Sequence, residues 1–347
     1  MMTYKNEYKR TTEQPILSYV LLKVCHNKRK NRSLFYCLSA WTRSVFMLIT
    51  DLITEYLFDC QIRRFTEKTI KSYRNNLCYF ANYLNTTHNV TDIEKVDTFH
   101  LKSFLKELSD NGRKESYINS LIKTFRAFFK YALEEEYIKT NPCLKVRWAK
   151  ETESLIETFT DAEVKRMLSA FNDTDYMQVR NKAIMYMLFD TGIRNYELCC
   201  LPLSAIKENI ITIMGKGKKE RQVAKSPHLE KMLIKYMRYR NSYFVYKNIP
   251  DNLFLSRTGK PLTDEAVQRI VRIAATTANV RDNIRSSPHT CRHYFAQCQL
   301  RNGIDVYSLS RLMGHTNIKI TQRYLSSLND SDIVEKSVKT SPLMRIM

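Results

Sequence analysis

Apolar side chains recur with a helical period through the stretch 47–147. Four segments, at 47–62, 66–85, 97–112 and 114–138, place apolar residues three or four positions apart, as a helix with one buried face does. A threonine opens the second segment and an aspartate opens the third, both of them residue types favoured at a helix N-cap. The aromatic residues follow the same spacing, which favours core packing over stacking on bases. This stretch therefore predicts a small bundle of helices.

The helical pattern stops at 144–158, where lysine and glutamate crowd together, and we interpret these residues as a linker. Beyond it, Thr160 and Glu163 have the spacing of a capping box, which predicts the start of a new helix. A long apolar helix is then predicted to end at Gly192, because glycine is common just past a helix C terminus. The second half of the chain thus opens as a further set of helices.

Two short segments rich in β-branched residues interrupt the helices of the second half. The segments 209–214 and 221–226 flank the glycine-bearing sequence GKGKKE, an arrangement that predicts a β-hairpin. A third segment, 252–256, is also strand-like. We therefore predict a mainly α protein with a small β-sheet. Its parts are an N-terminal helical domain over 47–147 and a mixed α+β domain over 155–330.

Lysine and arginine outnumber the acidic residues by 56 to 35, which gives a formal charge of +21 at pH 7. A charge of this size points to a polyanionic partner, with nucleic acid ahead of an anionic membrane surface. The nine cysteines are scattered without a CxxC pair, so neither a disulfide framework nor a zinc site is expected. No apolar run reaches the roughly 20 residues that span a bilayer. We expect a cytoplasmic, nucleoid-associated protein.

Four groups that can act on a phosphate fall close together: His289, Arg292, His315 and Tyr324. His289 and Arg292 are three positions apart and share one face if their segment is helical. The set suits a tyrosine that attacks a phosphodiester. A phenol has a pKa of about 10, so it needs help to become a nucleophile at neutral pH.

Such a reaction requires two further groups. Negative charge gathers on the phosphate oxygens in the transition state, and a second guanidinium would match it with paired donors. The leaving 5′-oxygen needs a proton, which a lysine of lowered pKa can supply. Arg194, just past Gly192, and Lys216, between the glycines of the predicted hairpin, are the candidates.

Four segments carry a resemblance to a known family: DTGIRNYELCCLPLSAI, IMGKGKKERQVA, SPHTCRHYFAQCQLRNG and LSRLMGHTNIKITQRYL. In content, order and spacing they resemble the signature segments of the tyrosine recombinase (phage integrase, lambda integrase) family, over about residues 155–328. The helical stretch before them resembles the family's core-binding, SAM-like domain. One departure is Cys291, where the family usually has leucine, and we interpret this change as apolar packing.

The resemblance implies a role for each matching residue. Arg194 and Arg292 would clamp the transition state, with Glu197 orienting Arg194. Lys216, in the hairpin, would be the general acid.

The resemblance makes Tyr324 the nucleophile, and it implies that His289 assists the transfer of the proton from Tyr324. His315 would donate to a phosphate oxygen, and His293 would have a structural role.

The family forms a 3′-phosphotyrosine and uses no metal or other cofactor. The resemblance further implies double-stranded DNA core sites as partner, a homotetramer on two duplexes and an accessory directionality factor. It also implies that the tail, 331–347, docks on a neighbouring protomer, with a frayed end as the alternative. The basic extension 1–46 is an arm that follows DNA, a flexible tail, or an extension upstream of the real start, since Met47 opens the first well-patterned segment. We expect further phosphate contacts from exposed basic residues: Lys71, Arg74, Lys123, Lys218, Lys219 and Arg221.

Three functions follow as alternatives. The first is site-specific recombination that integrates, excises or transposes a mobile element. The second is a type IB topoisomerase, which uses the same chemistry on one duplex. The third is a DNA-binding protein without catalysis, which the presence of all six catalytic positions disfavours.

Overall fold

The computed structural model describes residues 47–151, 155–215 and 219–325, together with 334, 337–338 and 341–346 near the C terminus. The chain forms two compact units, with the boundary between Thr152 and Glu153. The predicted basic extension lies outside the described residues. In the described part of the chain, no helix is both long enough and apolar enough to cross a membrane.

The first unit is a helical bundle, as the sequence predicts. Thr66 accepts a hydrogen bond from the backbone N–H of Thr69, and Asp97 forms a capping box with His100, so two predicted N-caps are present. Five phenylalanines fill the core: Phe80, Phe104, Phe125, Phe128 and Phe129. The helices are α1 (Ile49–Ile62), α2 (Glu67–His88), α3 (Thr98–Asp110) and α4 (Glu115–Glu134).

The second unit combines helices with one two-stranded sheet. Before the sheet lie α5 (Asp161–Leu168), α6 (Tyr176–Thr191) and α7 (Asn195–Cys199). The sheet consists of β1 (Ile210–Met214) and β2 (Glu220–Ala224). After it come α8 (Pro227–Tyr243), α9 (Asp264–Thr277), α10 (Pro288–Arg301), α11 (Val306–Met313), α12 (Lys319–Gln322) and α13 (Leu343–Ile346).

The predicted hairpin is present, but the predicted third strand is wrong. Strands β1 and β2 pair antiparallel, with Ile210 opposite Ala224. The segment 252–256 makes only isolated bridges, from Asn252 to Pro202 and from Leu255 to Pro261. Proline has no N–H, so neither partner can extend its bridge into a ladder.

Two helices of the second unit end at a glycine in the left-handed conformation, and the residues that follow each glycine lie at the same cleft. Gly192 follows α6 with φ 57°, and Gly314 follows α11 with φ 62°. A Cβ atom on Gly192 would lie 2.4 Å from the ring of Phe295 on α10, so α10 packs directly against this helix end. The result is that Arg194 and His315 both emerge beside the same face of α10.

Candidate active site

Five residues proposed for catalysis from the sequence line one cleft of about 350 Å³ in the second unit. They come from three separate regions of the chain, and they are Arg194, His289, Arg292, His315 and Tyr324. Lys216 lies outside the described residues. The cleft therefore brings together two guanidinium groups, two imidazoles and a phenol.

Arg194 faces the cleft from the start of α7. Its guanidinium donates to a carboxylate oxygen of Glu197 at 2.8 Å and to the carbonyl oxygen of Gly314 at 2.9 Å. The side chain stays 39% exposed, so part of the guanidinium remains open to a ligand. Two contacts thus fix the orientation of an accessible cation.

Arg292 lies deeper, on α10, with 3% of its surface exposed. Its guanidinium donates to the carbonyl oxygens of Gly192 and Met313, at the C-terminal ends of α6 and α11. Such ends carry partial negative charge and unpaired carbonyl groups, which suit a cation. Burial and the nearby Arg194 lower the pKa of Arg292 to about 9, which leaves it charged at neutral pH.

Glu197 is buried between two arginines. Its carboxylate accepts from Arg194 and from both terminal nitrogens of Arg221, at 2.9 and 2.6 Å. Burial opposes ionisation, but these hydrogen bonds hold the pKa of the Glu197 carboxyl below its ordinary value. Arg221 is thus occupied inside the protein, with a side chain only 9% exposed, and does not stand at the surface where a DNA phosphate contact was expected.

His315 lies between Arg292 and Thr321. Its Nε2 atom is 3.3 Å from a guanidinium nitrogen of Arg292, and its Nδ1 atom is 2.8 Å from the Thr321 hydroxyl. Because a guanidinium only donates, Nε2 is the acceptor and the proton sits on Nδ1. Burial and the charge of Arg292 lower the pKa of His315 to about 4, so the ring is neutral at pH 7.

Tyr324 is buried and contacts a histidine, but that histidine is His293. The Nδ1 atom of His293 lies 2.8 Å from the phenol oxygen of Tyr324. His289 lies one turn earlier on α10, with its ring centre 4.3 Å from that of His293. Burial raises the pKa of the Tyr324 phenol, although Arg292 and Arg323 act in the opposite direction.

Sequence reasoning gave His293 only a structural role. A usable signal was present, because His289 and His293 are four residues apart and therefore share one face of a helix. Burial and the neighbouring His289 lower the pKa of His293 to about 4, so this imidazole is also neutral at pH 7. A neutral imidazole beside a phenol can accept its proton.

The remaining basic residues proposed for DNA contact are dispersed. Lys71, Arg74 and Lys123 are exposed on α2 and α4 of the first unit, and Lys219 is exposed before β2. Lys218 lies outside the described residues. Cys291 is fully buried among apolar side chains of the second unit. Within the described ranges, no group of three or more His, Cys, Asp or Glu side chains is placed to hold a metal ion.

Comparison with known proteins decides the family. Residues 157–330 match the family model described as "Phage integrase family", and residues 53–136 match the phage integrase N-terminal SAM-like domain. The chain belongs to the phage integrase family of site-specific tyrosine recombinases. Its curated relatives include tyrosine recombinase XerC of Thermodesulfovibrio yellowstonii, which is 30% identical over 299 residues, covering 84% of this chain and 97% of that relative. Tyrosine recombinase XerD of Staphylococcus aureus is 29% identical over 276 residues, covering 79% and 92%.

Solved structures of integrases share the fold of this recombinase. A lambda integrase dimer bound to a COC′ core site aligns with a TM-score of 0.67 and 17% identity, over 88% of this chain and 84% of that one. The XerH site-specific recombinase bound to a palindromic difH substrate aligns with a TM-score of 0.67 and 19% identity, over 93% of both chains. The predicted fold class, a SAM-like helical domain followed by a mixed catalytic domain, is confirmed.

Proposed function

We propose that this tyrosine recombinase cleaves and rejoins DNA at specific sites through a covalent 3′-phosphotyrosine on Tyr324, and that its task is the integration, excision or transposition of a mobile element. The observation that supports this most strongly is the cleft itself. There a phenol contacts a neutral imidazole of His293, while Arg194 and Arg292 present guanidinium groups to the same space.

In the proposed reaction the phenol oxygen of Tyr324 attacks the scissile phosphorus and the bond to the 5′-oxygen breaks. Arg194 and Arg292 donate to the non-bridging oxygens, where charge increases in the transition state. Both guanidinium groups are already fixed by backbone carbonyls, so little reorganisation is needed when the charge develops. Attack by the 5′-hydroxyl of another strand on the phosphotyrosine then restores Tyr324 and rejoins the DNA.

Two proton transfers accompany cleavage. The phenol proton passes to Nδ1 of His293, which lies at hydrogen-bond distance and is neutral at pH 7. His289, exposed beside it on α10, is placed to aid this transfer from the side of the cleft. Lys216 is proposed to protonate the leaving 5′-oxygen on the strength of the sequence resemblance.

In this scheme the Nε2 atom of His315 exchanges its hydrogen bond from Arg292 for one to the phosphate. A phosphate bound between Arg292 and His315 adds negative charge beside the imidazole, which favours protonation of Nε2. The ring then donates from Nε2 to a phosphate oxygen while Nδ1–H keeps its hydrogen bond to Thr321. His315 thereby supports the same charge as the two arginines.

The proposed partner is double-stranded DNA carrying paired core sites, acted on in the cytoplasm at the nucleoid. The net charge of +21 supports this partner. One structural neighbour is a lambda integrase tetramer bound to a Holliday junction, with a TM-score of 0.65 and 16% identity. We extend that arrangement to this chain as a homotetramer on two duplexes, together with an accessory factor that sets direction.

A nicked suicide substrate tests the proposal. The duplex carries an inverted repeat identified by sequencing the DNA beside the gene, and it is nicked next to the cleavage position, so that the short 5′-hydroxyl fragment diffuses away and the covalent adduct accumulates. The wild-type chain should form a protease-sensitive protein–DNA adduct, whereas Tyr324→Phe should bind the same duplex and form none. An adduct with Tyr324→Phe, or none with the wild type on any flanking repeat, would overturn the assignment.

A second assay separates recombination from simple relaxation. One plasmid with two repeats is incubated with the wild-type chain, and both supercoiling and exchanged product are measured. Exchanged product supports the recombinase. Relaxation without exchange would instead indicate topoisomerase-like activity.

A further inference from the structure

Arg221 is a cation that the reaction as proposed does not use, and its side chain is only 9% exposed. It lies on β2, one residue after Glu220, which pairs with Met214 at the turn end of the hairpin. Its two terminal nitrogens donate to the two oxygens of Glu197, and its Nε donates to the carbonyl oxygen of Leu312 at 2.9 Å. Each guanidinium nitrogen therefore has a partner inside the protein.

The same side chain packs on the turn that precedes His315. A Cβ atom on Gly314 would lie 3.0 Å from Cδ of Arg221, so the arginine stem rests directly on this glycine. The carbonyl oxygen of Gly314 in turn accepts from Arg194. Arg221 thus contacts both groups that fix Arg194, namely the Glu197 carboxylate and the C-terminal end of α11 with Gly314, here called the 312–314 turn.

The charges of Glu197, Arg194 and Arg221 explain why Glu197 needs a second arginine beside it. Alone with Arg194, a buried carboxylate would neutralise the accessible guanidinium and draw it away from a phosphate. Arg221 forms a bidentate pair with Glu197 in which both oxygens are used, a geometry that arginine provides and lysine does not. Two cations then face one carboxylate, and one positive charge remains for the cleft.

We propose that Arg221 is a positioning residue: it offsets the charge of Glu197 and holds the 312–314 turn, so that Arg194 stays oriented toward the scissile phosphate. This role rests on the proposed function and extends it from the residues that touch the phosphate to one that does not. It also connects the predicted Lys216 hairpin to Arg194, because Arg221 belongs to that hairpin.

The test compares single-turnover cleavage of the suicide substrate by full-length variants at saturating DNA. Arg221→Met should lower the cleavage rate by about 10²-fold, the size of effect seen when one preorganised donor is lost. The concentration of DNA that gives half-saturation should stay near the wild-type value, because the three guanidinium nitrogens of Arg221 donate to acceptors inside the protein. Arg221→Lys should retain part of the activity, since it keeps the charge without the bidentate geometry.

A double variant distinguishes charge compensation from a loss of packing. Adding Glu197→Gln to Arg221→Met removes the uncompensated carboxylate and should raise the cleavage rate several-fold above that of Arg221→Met alone. A merely structural role predicts the opposite, since removing a second buried partner lowers stability further. Thermal unfolding of each variant shows how much of the sample is folded.

Arg180→Met is the matched control for loss of a buried arginine. Arg180 is 4% exposed and donates to the carbonyl oxygen of Leu255 and to Asn181, at the start of α6 and twelve residues before Gly192. Its replacement should lower stability and leave the cleavage rate of folded protein unchanged.

Arg221→Met cleaving at the wild-type rate, or a double variant no faster than Arg221→Met, would overturn the positioning role. The wild-type chain in the same assay tests the proposed function separately. If the wild type forms no adduct, the proposed function itself fails, and if only the Arg221 comparison fails, the proposed function stands.

Discussion

His293 lies against Tyr324, the proposed nucleophile, with its Nδ1 atom 2.8 Å from the phenol oxygen. The sequence resemblance places His289 in that role instead. Both histidines belong to the same face of α10, and their ring centres are 4.3 Å apart. This contact is the reason that we propose His293 as the first acceptor for the phenol proton.

Replacing the two histidines separately should reveal this order. His293→Phe keeps a ring of similar size but removes the acceptor, and should slow single-turnover cleavage by about 10²-fold, in line with the loss of a general base. His289→Phe should have the smaller effect. A larger loss with His289→Phe, at equal DNA affinity, would return the role to His289.

The two clamp arginines should differ in their effect on stability. Arg194→Ala and Arg292→Ala should each slow cleavage by several orders of magnitude with little change in DNA affinity, because both are proposed to act on the transition state. Arg292→Ala leaves the two buried carbonyl groups of Gly192 and Met313 without this donor, at a cost of about 1–3 kcal/mol each. Arg194→Ala removes a donor from the partly buried Gly314 carbonyl, while Glu197 keeps its two hydrogen bonds from Arg221. Calorimetry should therefore show a clearly lower Tm for Arg292→Ala than for Arg194→Ala. Equal Tm values would contradict the buried contacts.

The free energy of unfolding of the second unit should fall in mild acid. His293 and His315 have pKa values of about 4 in the folded chain, against an ordinary value of 6.5. Between these values the unfolded chain binds protons that the folded chain does not, so the free energy of unfolding decreases as pH falls from 6.5 toward 4. The full shift corresponds to about 3 kcal/mol for each histidine, and solvent screening at these partly exposed rings makes the actual contribution smaller. Denaturant unfolding at several pH values measures how steeply the free energy of unfolding changes with pH, and His293→Phe should make this change smaller. The same pH dependence in that variant would assign the effect to other groups.

Gly192→Ala should damage both stability and catalysis. The position has φ 57°, and an added Cβ would lie 2.4 Å from the buried Phe295 ring, so this ring must shift and we expect α10 to move with it. That movement displaces Arg292 from the Gly192 carbonyl, and we expect a loss of at least about 2 kcal/mol together with slower cleavage. Gly112→Ala is the matched control, because Gly112 has φ 71° with open space around it. If both variants lose the same stability, backbone strain alone explains the effect.

Much of the fold could be predicted because its signals are local. Side-chain caps at Thr66, Asp97 and Thr160 mark helix starts in the sequence and make the expected hydrogen bonds in the structure. The prediction of a strand at 252–256 was wrong because a strand forms only against a second segment that can hydrogen-bond along it. The neighbouring segments here include Pro202 and Pro261. Neighbours across the fold are not visible in a short apolar segment.

The sequence could predict that Arg194, Arg292 and Tyr324 lie together, because the segments that contain them match the family's signature segments in content and order. The structure places all three in one cleft. The inward position of Arg221 was not predictable, because one basic residue among several in a charged turn looks like an exposed surface group. Its role depends on Glu197, which is 24 residues away in sequence but at hydrogen-bond distance in the structure. Only a tertiary contact shows that this arginine faces inward.

The carbonyl groups that hold Arg292 belong to the ends of two different helices, α6 and α11. A guanidinium shared in this way requires both helix ends to be in place at the same time. Any partial opening that separates them also removes the geometry proposed to bind the scissile phosphate. If the proposed function is right, we expect an incompletely folded copy to be unable to break a DNA strand, so that cutting and resealing arise together in the complete fold.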